Sequence, residues 1–174
     1  MISIYYKIGE HIEISSNISI LQEIDRENII WVDMTEWDKE EEILLEKHFD
    51  LKIMNPNEVT EIEQSARFIE FDHYFVCNSN FITKYESTLI QRVVSFTLTR
   101  HILITLRSAD FRAFRDTAKK ILTSGSKTGT SEVFLSLFDN RIANDADYVE
   151  ELTQQVSELS KAITTEKQTS KPLI

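Results

Sequence analysis

The stretch that decides the fold is Ile29-Ile30-Trp31-Val32-Asp33-Met34, a nearly continuous apolar run in the first third of the chain. A strand with one face in water alternates apolar and polar residues, whereas a strand that is covered on both faces stays apolar almost throughout. The run therefore predicts a short central strand with packing layers on both sides of it.

Segments that favour strands lie on either side of this run. Gly9-Glu10 and Arg100-His101 predict turns between neighbouring strands, and Asp72-His73 marks either a turn or the middle of one bent strand. The segments themselves are rich in Ile, Val, Phe, Tyr and Thr, which suit a pleated, half-buried surface. They span residues 2–7, 11–15, 67–72, 74–80, 89–99 and 102–107.

Helical segments alternate with these groups of strands. Thr35 is predicted to cap an acidic helix that ends near His48, and its glutamates 40, 41, 42 and 46 are expected to face water. Asn55-Pro56 predicts the start of a second helix, and Asp110 predicts the cap of a third. The order of the elements predicts an α/β fold, an α/β/α sandwich with a mixed β-sheet between helical layers, followed by a long C-terminal helix.

The last third of the chain carries a 3.5-residue apolar repeat, which we call the apolar stripe. Such a repeat is typical of a helix that lies along another helix. We expect this helix to begin near Ser131 and to lie along another helix. We interpret Asp145, the one non-apolar member, as the point where one packing surface ends and another begins. The stripe consists of Leu135, Phe138, Ile142, Asp145, Val149, Leu152, Val156, Leu159 and Ile163.

The composition excludes several classes of protein. A net charge of −10 over 174 residues argues against a nucleic-acid partner, because binding to phosphates depends on Lys and Arg. The single cysteine, Cys77, excludes an internal disulfide and fits a reducing compartment, where we expect a small buried hydrophobe. No apolar run approaches the ~20 residues that a membrane helix needs, so the chain as given is expected to be soluble.

The sequence contains no motif that supports an enzyme. Gly125-Ser126-Lys127-Thr128-Gly129 lacks the residue order of a phosphate-binding loop and follows a helical segment rather than a strand. The four histidines are scattered, and none has a partner at the spacing of metal ligands on a helix. We therefore expect no catalytic residues and no enzymatic activity.

Several stretches, taken in order, resemble the cytoplasmic N-terminal domain of the CorA family of magnesium and cobalt transport proteins. The resemblance implies an α/β cytoplasmic domain over 1–128, a long helix over 129–168 that is packed on it and leads toward a stalk, and the start of a truncated stalk helix over 169–174. The similar stretches are Trp31–Met34, Leu45–Leu51, Pro56–Ile62, Ala66–Val76, Val94–Leu98, Leu103–Arg107, Phe134–Asp139 and Asp147–Leu152.

The resemblance also implies a function. The chain is expected to be the ion-sensing and gating domain of a divalent metal ion transporter, at the cytoplasmic face of the cell membrane. The full-length protein is expected to be a pentamer that reaches the membrane through C-terminal helices. Magnesium is the expected regulatory ion, with cobalt and zinc not excluded. The alternatives are a zinc transporter domain of the same fold and a soluble helical adaptor protein.

The resemblance gives few metal ligands in this chain. In the family, acidic groups at subunit boundaries bind intracellular magnesium, and hard divalent cations prefer such oxygen ligands. The acidic position in the loop after Val76 falls at or near Lys84, which is a cation. A second ligand would lie on the stalk beyond Ile174. Asp139, Asn144 and Asp145 in the long helix are the remaining candidate metal ligands.

Overall fold

The structure, a computed structural model, describes residues 1–54, 68–125 and 127–169, with side chains through residue 164. Within these ranges one seven-stranded sheet has the strand order β2-β1-β3-β7-β6-β5-β4. All neighbouring strands are antiparallel except the central pair β3 and β7, which are parallel. The strands are β1 (Ile2–Ile8), β2 (His11–Ser15), β3 (Ile29–Thr35), β4 (Phe68–Glu70), β5 (Tyr74–Tyr85), β6 (Thr88–Thr99) and β7 (Leu103–Arg107).

Helices cover both faces of this sheet, as predicted. The described helices are α1 (Lys39–Phe49), α2 (Arg112–Ser124) and α3 (Thr130–Thr169), with short 3-10 turns at Ile18–Gln22 and Arg26–Asn28. One apolar core lies between the sheet and α1, and a second lies between the sheet and the pair α2 and α3. The run Ile29–Met34 is buried throughout, because it forms the centre of β3 between these two cores.

Aromatic rings fill the core on the α2 side. Phe81 lies 5.4 Å from Phe111 and 5.6 Å from Phe114 between ring centroids, and Tyr5 stacks on Trp31 at 4.5 Å. Full burial of one large apolar side chain stabilises a fold by about 1.5–3 kcal/mol. This cluster therefore holds α2 and the start of α3 against the sheet.

A buried ion pair joins the two parallel strands. Arg107 donates through Nη2 to Asp33 at 2.8 Å and through Nε to both carboxylate oxygens at 3.1 Å. Thr105 donates to the same carboxylate at 2.7 Å and accepts from the Trp31 indole at 3.0 Å. Asp33 lies directly opposite Thr105 in the β3–β7 register, so the network fixes the alignment of the central strands.

The first helix differs from the prediction at its start. Thr35 ends β3, and the cap of α1 is Asp38, which forms a reciprocal capping box with Glu41. Between them the backbone of Glu36 has a φ of 48°, which turns the chain away from the strand before the helix can begin. The prediction that Thr35 caps this helix is therefore wrong.

One glutamate of α1 is buried instead of facing water. Glu42 is 2% exposed, and its carboxylate accepts from the Trp37 indole at 2.9 Å and pairs with Lys39 at 2.5 Å. A buried carboxylate needs such partners, since an isolated charge is costly away from water. The helix predicted from Asn55-Pro56 lies outside the described residues.

The middle of the chain is more regular than predicted. β4 and β5 are two antiparallel strands, so Asp72-His73 marks a turn. β5 continues to Tyr85 and pairs with β6 along its whole length, so the segment after Val76 that was expected to be a loop is a strand. Asp110 does not cap α2, whose N-cap position is Phe111; the Asp110 carboxylate pairs with Arg115 instead.

The long helix α3 packs on the body near its start, and of the apolar stripe Phe138 takes part in this contact. Val133 and Leu137 are fully buried against the aromatic core, and the Thr130 hydroxyl donates to the His101 carbonyl at 2.7 Å. For most of its length the stripe does not contact the domain, so the packing on the domain that the resemblance implies holds only for the first part of the helix. Seven members are 47–66% exposed: Leu135, Ile142, Val149, Leu152, Val156, Leu159 and Ile163.

Candidate functional site

The three candidate metal ligands lie on separate parts of the α3 surface. Asp139 is exposed, Asn144 is 8% exposed, and Asp145 is half-buried. Six helical residues turn the chain by about 240° beyond a full circle, so Asp139 and Asp145 point in different directions. Within the described ranges, no group of three or more His, Cys, Asp or Glu side chains is arranged to hold a metal ion. Their role as ligands stays a prediction from the resemblance.

Asp145 has a local partner that accounts for the break in the stripe. Its carboxylate lies 3.4 Å from Nε of Arg141, one helical turn earlier. Arg141 reaches into the body, where it donates to Ser79 at 2.7 Å and lies 5.2 Å above the Phe81 ring. A nearby carboxylate offsets part of the cost of half-burying a guanidinium, so an acid at position 145 supports the contact between helix and body.

The position that the resemblance aligned with an acidic ligand is occupied by a paired cation. Lys84 lies at the end of β5, and its Nζ is 2.6 Å from Oε1 of Glu151 on α3. A metal ion cannot use the ammonium group as a ligand, because the group is positive and has no lone pair to donate. At this position the chain therefore joins strand to helix by a direct ion pair.

A second ion pair lies one helical turn before Glu151. The Asp147 carboxylate is 3.0 Å from Nη1 of Arg112. Nε of the same arginine is 3.4 Å from the Asp116 carboxylate within α2. We call the Lys84–Glu151 and Arg112–Asp147 pairs the clasp. Beyond it every side chain from residue 152 to 164 is exposed. The clasp therefore marks the point where α3 leaves the body.

Sequence reasoning missed the clasp, although one signal was present. Asp147 and Glu151 are four residues apart, a spacing that puts two acids on the same face of a helix. Their partners are distant in the chain, at separations of 35 and 67 residues. Which cations lie opposite them depends on how the sheet and α2 are assembled.

Cys77 behaves as the small apolar residue that the sequence predicts. It is half-buried on β5 and packs against the aromatic core. Burial raises the pKa of its thiol to about 11, so the sulfur stays protonated at neutral pH. A protonated thiol is a poor nucleophile.

These features define an α/β domain with a mixed sheet and a helix that projects from it with an uncovered apolar stripe. A family profile described as "CorA-like Mg2+ transporter protein" matches residues 26–174. The chain therefore belongs to the CorA-like Mg2+ transporter family.

One curated protein and two solved structures show what the chain is similar to, and the structures show a shared fold. The magnesium transport protein CorA of Wolinella succinogenes is 30% identical over 142 residues, which cover 78% of this chain and 44% of that protein. The soluble domain of CorA from Methanocaldococcus jannaschii has a TM-score of 0.70 at 16% identity, covering 95% of this chain and 65% of that one. The cytoplasmic domain of ZntB from Vibrio parahaemolyticus has a TM-score of 0.65 at 12% identity, covering 90% and 63%.

The similarity covers part of the length of the curated relatives. The chain spans less than half the length of the curated CorA relatives. Among the described residues, no helix combines the length and the apolar character that crossing a membrane requires. The structural neighbours share the fold, and the family matched is one of transporters rather than enzymes.

Proposed function

We propose that this chain is the cytoplasmic ion-sensing and gating domain of a CorA-like divalent metal ion transporter, with magnesium as its ion. The observation that carries the proposal is the apolar stripe on α3. Seven of its side chains lie in water along a helix that leaves the body at the clasp. A 3.5-residue repeat fits another helix laid along it. We therefore assign the stripe to contact with a stalk helix that leads to the membrane.

The sensing mechanism is electrostatic in this proposal. The chain carries a net charge of −10, so like charges meet when copies assemble around a pore. A divalent cation held between carboxylates of neighbouring subunits removes this repulsion and favours the closed pentamer. Loss of the ion shifts the population toward an open state. Asp139 and Asp145 are the acids of α3 that we propose for this contact, with Asn144 as a neutral oxygen ligand.

Sedimentation of the 174-residue chain tests the sensing proposal. Analytical ultracentrifugation should show a larger mass with millimolar magnesium than with sodium chloride at the same ionic strength. Thermal melts in the same two buffers should show a higher melting temperature with magnesium. Asp139→Asn combined with Asp145→Asn should reduce this response, because both carboxylates are removed. Asp25→Asn is the control, since this acid is exposed and does not lie on α3. No change in either mass or melting temperature would count against sensing by this chain.

The zinc alternative has one observation in its favour. The ZntB cytoplasmic domain shares the fold at a TM-score of 0.65. Zinc prefers nitrogen and sulfur ligands, whereas magnesium prefers oxygen. If zinc at equal concentration promotes assembly more strongly than magnesium, and does so with the Asp139 and Asp145 variants as well, the zinc alternative replaces the magnesium proposal.

The adaptor alternative also starts from the stripe. It assigns the exposed residues to a helix of a separate partner protein rather than to a stalk of the same chain. Expression of the whole gene with its downstream sequence, followed by measurement of divalent ion uptake, distinguishes the two. Uptake that depends on this domain supports the transporter, and an expressed protein that stays in solution and gives no uptake supports the adaptor.

A further inference from the structure

The C-terminal half of the apolar stripe has the residue order of a two-stranded coiled coil. In a helix with a 3.5-residue repeat, the core positions alternate between one called a and one called d. The a positions here hold Val149, Val156 and Ile163, and the d positions hold Leu152 and Leu159. β-branched residues at a, combined with Leu at d, favour two parallel strands over three or four. We call these five residues the distal stripe.

The distal stripe is open to solvent on a helix whose direction the body holds. Its five side chains are 47–65% exposed, and they lie at or beyond the clasp, where α3 leaves the body. At 100° per residue, the distal stripe is centred about 100° around the helix from Val133, Leu137 and Asn144, which are buried. A second helix can therefore lie along the distal stripe without displacing the body.

Charge does not oppose a second copy along this stretch, although the chain as a whole is acidic. The positions that flank a coiled-coil core, e and g, set the choice of partner when they are charged. From residue 146 to residue 162 these positions hold only neutral residues: Ala146, Tyr148, Thr153, Gln155, Ser160 and Ala162. The charged residues of the same stretch occupy outer positions: Asp147, Glu150, Glu151, Glu158 and Lys161. Neutral flanks give identical helices no repulsion and carry no charge code for a different partner.

The acid at the preceding core position sets where pairing begins. Asp145 occupies a d position, so in a parallel pair it would face the Asp145 of the other copy, and facing like charges are costly. Within its own helix its carboxylate lies 3.4 Å from Nε of Arg141. Pairing between copies therefore starts after this acid, at Val149.

The area of the distal stripe fits a weak and reversible dimer. Each of its five side chains exposes about 100 Å² of apolar surface, so a pair of copies buries about 1,000 Å². Interfaces of this size belong to weak and transient complexes rather than to permanent ones. Because α3 is already helical and is held on the body, pairing orders little additional chain. We propose that two copies of this chain associate through the distal stripe as a parallel two-stranded coiled coil.

This pairing uses the surface that we assigned to a stalk helix, so one α3 cannot hold both partners at once. The dimer is therefore a state of the domain in which no stalk helix lies on the stripe. The pairing needs neither a metal ion nor a membrane, so it does not rest on the proposed gating function.

Sedimentation of the 174-residue chain tests the pairing, in buffer with a chelator so that divalent ions play no part. The mass should rise from one copy toward two as the protein concentration increases from about 2 µM to about 200 µM. Val156→Glu places two carboxylates face to face in the dimer and should leave the chain monomeric at the upper concentration. Its melting temperature at the lower concentration should be unchanged, since Val156 is 65% exposed. Gln154→Glu is the matched control, because it adds the same charge at an outer position of the same helix, and it should still dimerise.

Disulfide cross-linking tests the orientation of the two helices. In a parallel pair in register, position 159 of one copy lies beside position 159 of the other. Leu159→Cys in a Cys77→Ala background should therefore form a disulfide between copies, with dissolved oxygen as the oxidant. Ser157→Cys in the same background is the control, because this outer position should not cross-link.

Each measurement has an outcome that overturns a defined part of the proposal. A chain that stays monomeric at the upper concentration, or equal dimerisation by Val156→Glu, overturns the interface. A mass of three or more copies in the chelator overturns the two-stranded arrangement. Cross-linking of Leu159→Cys that does not exceed that of Ser157→Cys overturns the parallel orientation. The ion-sensing proposal concerns only the further increase in mass that magnesium adds, so its failure is distinct from failure here.

Discussion

Removal of Asp33 should destabilise the domain far more than removal of an exposed acid. In the folded chain the Asp33 carboxylate is 6% exposed and the Arg107 side chain is 11% exposed. Asp33→Ala deletes the acceptor of three bonds from Arg107 and one from Thr105, and leaves a guanidinium buried without its counter-charge. Breaking a buried pair on one side costs about 3–5 kcal/mol.

Urea denaturation followed by circular dichroism measures this loss. With a denaturant slope of about 2 kcal/mol per molar, the midpoint should fall by about 2 M. Glu151→Ala is the matched control, because the Lys84–Glu151 pair is about two-fifths exposed on both sides. Its removal should cost at most about 1 kcal/mol.

A double variant separates the missing charge partner from the missing side chain. Asp33→Leu combined with Arg107→Met removes both charges and should cost less than Asp33→Ala alone, because no buried ion is left unpaired. The reasoning from burial fails if Asp33→Ala lowers the free energy of unfolding by less than about 1 kcal/mol. It also fails if the double variant is less stable than Asp33→Ala alone.

Three further perturbations follow from the described contacts. Asp38→Ala should lower the free energy of unfolding by about 1 kcal/mol, because it removes the N-cap of α1. An unchanged midpoint in urea denaturation would contradict this. Val156→Ser with Leu159→Ser should reduce binding of a hydrophobic dye without lowering the melting temperature, since these side chains are 65% and 64% exposed; a large drop in melting temperature would show that they are packed. Burial raises the pKa of the Cys77 thiol from its ordinary value of 9.0 to about 11 in the folded chain, so the unfolded chain loses this proton first. Its contribution to stability should be full below pH 9 and lost as pH rises toward 11; a Cys77→Ala variant, which lacks the thiol, should not show this part of the alkaline decline in urea melts.

The predictions from sequence succeeded where the signal was local. Ile29–Met34 is a buried strand because its apolar run is long enough to need cover on both faces, and Gly9-Glu10 lies in a turn that joins two antiparallel strands. The start of α1 was placed too early, at Thr35. Thr35 and Asp38 are both residue types that cap helices, and the sequence pattern alone does not choose between them. The positive φ of Glu36 and the capping box of Asp38 decide for Asp38.

The candidate site was less accessible to the same reasoning. The 3.5-residue repeat identified α3 as a long helix, and it did not show which residues contact the domain. Val133, Phe134, Leu137 and Phe138 make that contact at the start of the helix, and of these four only Phe138 belongs to the stripe. Lys84 was noted as a departure from the family, but its ion pair with Glu151 required the strand β5 to run through a segment that was expected to be a loop.

By itself, the sequence determined the class of fold, the helical nature of the last third and the family resemblance, because side-chain period and turn chemistry act over a few residues. Tertiary structure alone decided which groups meet. Asp33 and Arg107 are 74 residues apart and Lys84 and Glu151 are 67 apart, and each pair forms only once the sheet has its strand order and α3 its direction. Most of the apolar stripe is in water for a related reason, since only the start of α3 packs on the aromatic core and the helix has left the body beyond Glu151.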